Sequence, residues 1–225
     1  MAIGLYLLLN LAVLVIVARA SSARGWRLVG MLFLLGIVAG SANNLLEAVA
    51  FGVMTVPDVA TAAIPALIIF AILAPLAVTL AGRWKRSNEA LAEEVRVTLP
   101  IVLAVIGAYE ILYWSAGTLV FPYIADFYAT RRIPPAGLVA SLQIVRSLIF
   151  VGAAWPLLKS GLKSAPLVLA LVYGIIAGVA PLLPDNPYMP PDIRFYHAIE
   201  TSVSNALFGL IVGWLFTRRP RLAQA

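Results

Sequence analysis

The stretch Arg194-Phe195-Tyr196-His197-Ala198-Ile199-Glu200 holds the only histidine in the chain. His197 and Glu200 are three residues apart, so on a helix they share a face. An imidazole beside a carboxylate can relay a proton or offer two ligands to a metal. Ser204 continues the stripe, and Asn205 sits at its edge. A second polar group is Asn43, Asn44 and Glu47, with Asn43 and Glu47 four residues apart on one face. Two further ionisable residues, Glu110 and Arg146, stand alone in apolar runs.

These residues lie in an unusual background. The 225 residues are 62% hydrophobic and 12% charged, with a mean hydropathy of +0.98. Soluble domains carry roughly 25% charged residues, so lipid is the main solvent here. Ionisable groups in lipid-spanning segments are costly and mark functional sites by default. The chain lacks cysteine, which excludes disulfides, thiolate metal sites and cysteine nucleophiles. The net charge of +6 does not indicate nucleic acid, because the basic residues lie between apolar runs. No phosphate loop, zinc-ligand spacing or nucleophile turn occurs, and no cofactor is implied.

The apolar runs predict an all-α, polytopic helix bundle forming one transmembrane domain over residues 1–225. The predicted spans are 2–18, 28–53, 62–81, 98–121, 137–158, 165–183 and 195–216. Each is long enough for a hydrocarbon core of ~30 Å. The first run lacks the basic region that a signal peptide needs, so it reads as an anchor. Residues 83–96 read as a short charged surface helix, and Pro184-Asp185-Asn186-Pro187 as a turn.

Orientation follows from the basic residues. One side collects Arg19, Arg24, Arg27, Arg83, Lys85, Arg86, Arg96, Lys159, Lys163, Arg218, Arg219 and Arg221; the other has Arg131, Arg132 and Arg194. This bias predicts an extracytoplasmic N-terminus and a cytoplasmic C-terminus in the cell membrane. It also favours an odd number of spans.

Counting along the helices gives depths below the outer surface. Glu47 and Glu200 fall at about 9 and 8 Å, Glu110 and Arg146 at about 16 and 14 Å. Depth therefore makes Glu110 the expected counter-charge of Arg146, with Glu200 the alternative. Glycine pairs at Gly36/Gly40, Gly174/Gly178 and Gly209/Gly213 are expected to bring the second, sixth and seventh spans together. That packing would set Glu47 near Glu200. Tyr113, Trp114, Phe121, Tyr123, Phe127, Tyr128, Tyr188, Phe195 and Tyr196 read as an interfacial aromatic belt, or alternatively as the wall of a ligand site.

Three functions are compatible with this pattern. In the first, Glu47, Glu110, Arg146, His197, Glu200, Asn43, Asn44 and Asn205 line a cavity open to the extracytoplasmic side. It would bind or transport a small polar or cationic molecule, or a lipid headgroup. In the second, the polar residues only hold a non-catalytic scaffold or regulator together. In the third, His197 and Glu200 begin a metal site for intramembrane hydrolysis. The topology resembles seven-span hydrolases of the ceramidase and progestin-receptor type, but their sites use several histidines and this chain has one. A three-plus-one-plus-three plan, as in sugar transporters of the SWEET type, is similar in topology alone. The partners implied are the bilayer and the small-molecule or lipid ligand; the oligomeric state is not specified.

Overall fold

The computed structural model describes residues 2–85, 95, 97–129, 131, 133–185 and 188–218. Seven helices are long and apolar enough to cross a membrane: α1 (Ala2–Ala20), α2 (Gly25–Ala50), α3 (Val56–Leu80), α4 (Leu99–Ala129), α5 (Ala136–Lys159), α6 (Ala165–Leu182) and α7 (Pro191–Thr217). No strand occurs among the described residues, and the chain is a multi-pass, all-α membrane protein. In a bilayer this architecture satisfies every spanning backbone group internally.

Several helix ends differ from the hydropathy boundaries, each for a local reason. The third helix starts six residues earlier than its apolar run. Thr55 and Asp58 form a capping box, with the Asp58 carboxylate accepting from the Thr55 amide at 2.9 Å and from its hydroxyl at 2.6 Å. Pro57 sits in the first turn, where its missing N–H costs nothing. The fourth helix continues through Pro122 to Ala129 instead of ending at residue 121. Its 31 residues make it about 46 Å long, longer than a bilayer core, so its far end reaches past the apolar layer. The proposed surface helix at 83–96 lies almost wholly outside the described residues.

Two helices are not regular. In α2, Val38–Ala42 is a π-helical turn; in α6, Val172–Val179 is π-helical and Ala180–Leu182 tightens to 3-10. A π-turn inserts one residue into the helical count and rotates everything beyond it. Hydropathy carries no trace of such a shift.

Glycines set the close approaches. Gly209 faces the Leu169 carbonyl and Gly213 faces Pro166, so α7 lies backbone-to-backbone on α6. On α6, Gly174 and Gly178 return the contact against Ala206 and Ser202. Gly40 packs on Ile176 of α6, whereas Gly36 makes room for Phe70 of α3. The glycines of the second, sixth and seventh spans thus meet through α6, which touches both α2 and α7.

The two ends of the bundle are built differently. At one end the loops are stitched together. Ser21 pairs with Leu162 as an isolated β-bridge, Ser22 N–H donates to the Gly161 carbonyl, and Gly25 N–H donates to the Arg83 carbonyl. The Arg83 guanidinium reaches the carbonyls of Ala18 and Arg19. Above this end, Tyr109, Phe150, Tyr173 and Phe208 form a buried aromatic layer with centroids 4.6 to 6.0 Å apart. The Tyr173 hydroxyl donates to the Phe150 carbonyl at 2.7 Å, which settles the one polar atom that ring would otherwise strand. At the other end the bundle is hollow.

Candidate functional site

Arg146 lies on α5 and is almost fully enclosed. Its Nε donates to Asn43 Oδ1 at 3.2 Å, and its Nη1 to Gln143 Oε1 at 2.8 Å and Glu47 Oε1 at 2.5 Å. The guanidinium also stands 5.8 Å from the centre of the Tyr109 ring. Two amide oxygens, a carboxylate and an aromatic face thus replace its water shell. The amide nitrogens of Asn43 and Gln143 are left buried without partners among the described residues. Both amides have been turned to serve the cation.

The partner of Arg146 differs from the one expected from depth. The counter-charge of Arg146 is Glu47, not Glu110 or Glu200. Depth carries no information about azimuth, and Glu110 points elsewhere. Among the described residues it accepts only from Trp114 Nε1 of its own helix, at 2.9 Å, and is not part of the cavity wall. The long arginine side chain spans the level difference to Glu47.

On α7 the anticipated pair forms. His197 Nδ1 lies 2.8 Å from Glu200 Oε2, and Nε2 lies 3.2 Å from the hydroxyl of Tyr128, at the far end of α4. A neutral ring satisfies both contacts, donating from Nδ1 and accepting on Nε2. Thr201 and Ser204 donate to backbone carbonyls one turn back, at 2.6 and 2.7 Å. They stay with their own helix and leave Glu200 to the cavity. The Glu200 carboxylate leans toward α4 at Gly117, where a Cβ would sit 3.6 Å from Oε1.

Both clusters border one cavity of about 530 Å³. Glu47, Asn44, Arg146, His197, Glu200 and Asn205 line it. The sequence also nominated Asn43 and Glu110. Asn43 stands behind Arg146 as a support, and Glu110 lies outside the wall. Asn44 Nδ2 donates to the Ala177 carbonyl at 3.1 Å, in the π-helical part of α6. Asn205 is buried in the protein and borders the cavity. The upper wall includes Phe51, Val53, Met54, Pro184 and Tyr188, which belong to the α2–α3 and α6–α7 connections. The cavity thus reaches the unstitched end of the bundle.

Sequence reasoning missed Gln143, Tyr109 and the double role of Tyr128. The signal for Gln143 was available, since it is three residues before Arg146 on the same helix face. Tyr113, Tyr128 and Tyr188 line the cavity, while Trp114, Phe121, Tyr123 and Phe195 are exposed on the outside. The aromatic set therefore divides between wall and belt.

Comparison with protein-family models, curated proteins and solved structures finds no match. Chemistry alone must assign a use. The order of charge around the cavity is the decisive feature. The Arg146 side chain is 3% exposed, whereas Glu47 is 26%, His197 16% and Glu200 13% exposed. A solute in the cavity meets carboxylates, with the cation held behind them. No three His, Asp or Glu side chains converge as a metal site among the described residues. His197 and Glu200 lack the third protein ligand that a catalytic zinc site takes.

Proposed function

We propose that this protein binds, and carries across or out of the membrane, a small polar or cationic molecule or a lipid headgroup. The observation that carries this is the cavity between the two polar clusters, open toward one end of the bundle, whose most accessible charges are carboxylates. A packing role alone would call for polar groups tied to each other. It does not call for some 530 Å³ of space beside them. By the distribution of basic residues the open end faces the extracytoplasmic side of the cell membrane.

The residues divide the work. Arg146, Asn43 and Gln143 form a fixed support that holds Glu47 in place. Among the described residues, the side chain hydrogen-bonded to the Glu200 carboxylate is the His197 imidazole. Protonation of Glu200 or His197 would change the charge that a solute meets and couple binding to proton movement. Tyr128 extends this relay to the mouth.

The test is Glu200→Gln in purified and reconstituted protein. The variant should elute and unfold like the parent but lose solute binding or uptake. Unchanged uptake would remove the proposal. The hydrolase alternative has no observation in its favour beyond the His197–Glu200 pair itself.

A further inference from the structure

Which solute does such a cavity suit? Glu47 is already compensated by Arg146, and Glu200 faces the cavity beside an imidazole that is satisfied while neutral. With Glu47 and Glu200 ionised, the cavity carries one unmatched negative charge. Its favoured guest is therefore a monocation. An inorganic cation needs a shell of several oxygens to replace its water. The wall instead has two separated carboxylates, one of them engaged, and no third acidic group converging on them among the described residues.

Aromatic rings fill that gap. Tyr109, Tyr113, Tyr128 and Phe51 all border the cavity. The Tyr128 hydroxyl lies 3.2 Å from Nε2 of His197, whose Nδ1 meets Glu200 at 2.8 Å. The negative face of a tyrosine ring attracts a cation, most strongly where water is excluded and most usefully where the cation carries carbon substituents. Aliphatic side chains such as Leu45, Ala48, Ala66 and Ile69 supply the rest of the wall. Asn205, in the cavity wall, adds one amide.

Building on the cavity reading above, we infer that the ligand is an organic ammonium ion. Its charge rests between the Glu200 carboxylate and the tyrosine rings, its alkyl groups lie against the aliphatic wall, and a hydroxyl or similar group meets Asn205. Arg146 takes no direct part, because it stays engaged with Glu47.

The experiment is calorimetric titration of the whole protein in detergent with four probes. They are choline, its uncharged carbon isostere 3,3-dimethylbutanol, potassium ion and acetate. Choline should bind at least tenfold more tightly than dimethylbutanol, with potassium and acetate weaker still. Tyr128→Leu should weaken choline about tenfold, as expected for the loss of one cation–π contact of roughly 1–2 kcal/mol. Tyr128→Phe keeps the ring and should stay within about threefold, which separates the ring from its hydroxyl contact with His197. If dimethylbutanol binds as well as choline, or only potassium or acetate binds, the ammonium assignment falls while the cavity remains a binding site. If none of the four binds, the ammonium assignment also falls, and the cavity reading is decided separately by the Glu200→Gln uptake test.

Discussion

Burying a guanidinium costs several kcal/mol even after relaxation, and the cost is recovered only when each donor finds a partner. Arg146 recovers much of it through Nε, which donates to Asn43, and Nη1, which donates to Glu47 and Gln143. Removing one member leaves an uncompensated charge. Glu47→Gln should therefore lower stability by roughly 3 kcal/mol, read as a lower thermal midpoint in detergent. The double variant Glu47→Leu/Arg146→Leu should recover most of that loss, because a paired removal leaves no charge behind. Glu110 gives the contrast. Among the described residues its hydrogen bond is to Trp114, and it lies off the wall, so Glu110→Gln should leave solute binding within about twofold of the parent, below 0.5 kcal/mol. The types of these residues marked them as costly in oil. Their pairing was not readable, because a sequence gives depth along a helix and not which way a side chain turns.

At the scale of elements, the cavity depends on how α6 holds its neighbours. Its seam with α7 is made of glycines that meet backbone, so nothing can shift to admit a larger group. Gly209→Leu and Gly213→Leu should each cost at least 1–3 kcal/mol by overpacking, seen as reduced folded yield and an earlier thermal transition. Gly107→Ala on α4 is the control. A Cβ there meets nothing within 4 Å, and the substitution should be neutral or stabilising by up to about 1 kcal/mol. The glycine pairs were visible in the sequence, and the α6–α7 partnership follows from them. The partner of Gly36 did not, since Phe70 lies 34 positions away on a helix with no matching motif. The π-turns in α2 and α6 were equally hidden. They flank the contact of Asn44 with Ala177, and the rotation in α2 sets where Asn43 and Glu47 face.

The whole molecule has one sealed end and one open end. The sealed end gathers the loops after α1, α3 and α5, which also carry most of the basic residues. The open end gathers the loops after α2 and α6 with the tip of α4. Because cysteine is absent, single cysteines report sidedness without background. In right-side-out vesicles, Val56→Cys should react with a membrane-impermeant maleimide, and Ser164→Cys should react only after permeabilisation. The reverse pattern would invert the proposed orientation and turn the cavity toward the cytoplasm. The rings of Tyr109, Phe150, Tyr173 and Phe208 pack into a buried layer. Phe208→Ala should cost about 3–5 kcal/mol of stability, because that side chain is fully enclosed.

The sequence alone determined that seven apolar helices cross the bilayer, and it marked the polar residues that oil would tolerate only for a reason. Hydropathy is a property of composition along a segment, so it survives without coordinates. Tertiary structure decided which carboxylate neutralises Arg146, that α6 touches both α2 and α7, and that Glu110 lies away from the cavity. Those outcomes depend on azimuth, on π-turns that rotate a helix, and on backbone approaches measured in fractions of an ångström. None of these leaves a mark on the order of residues in one chain.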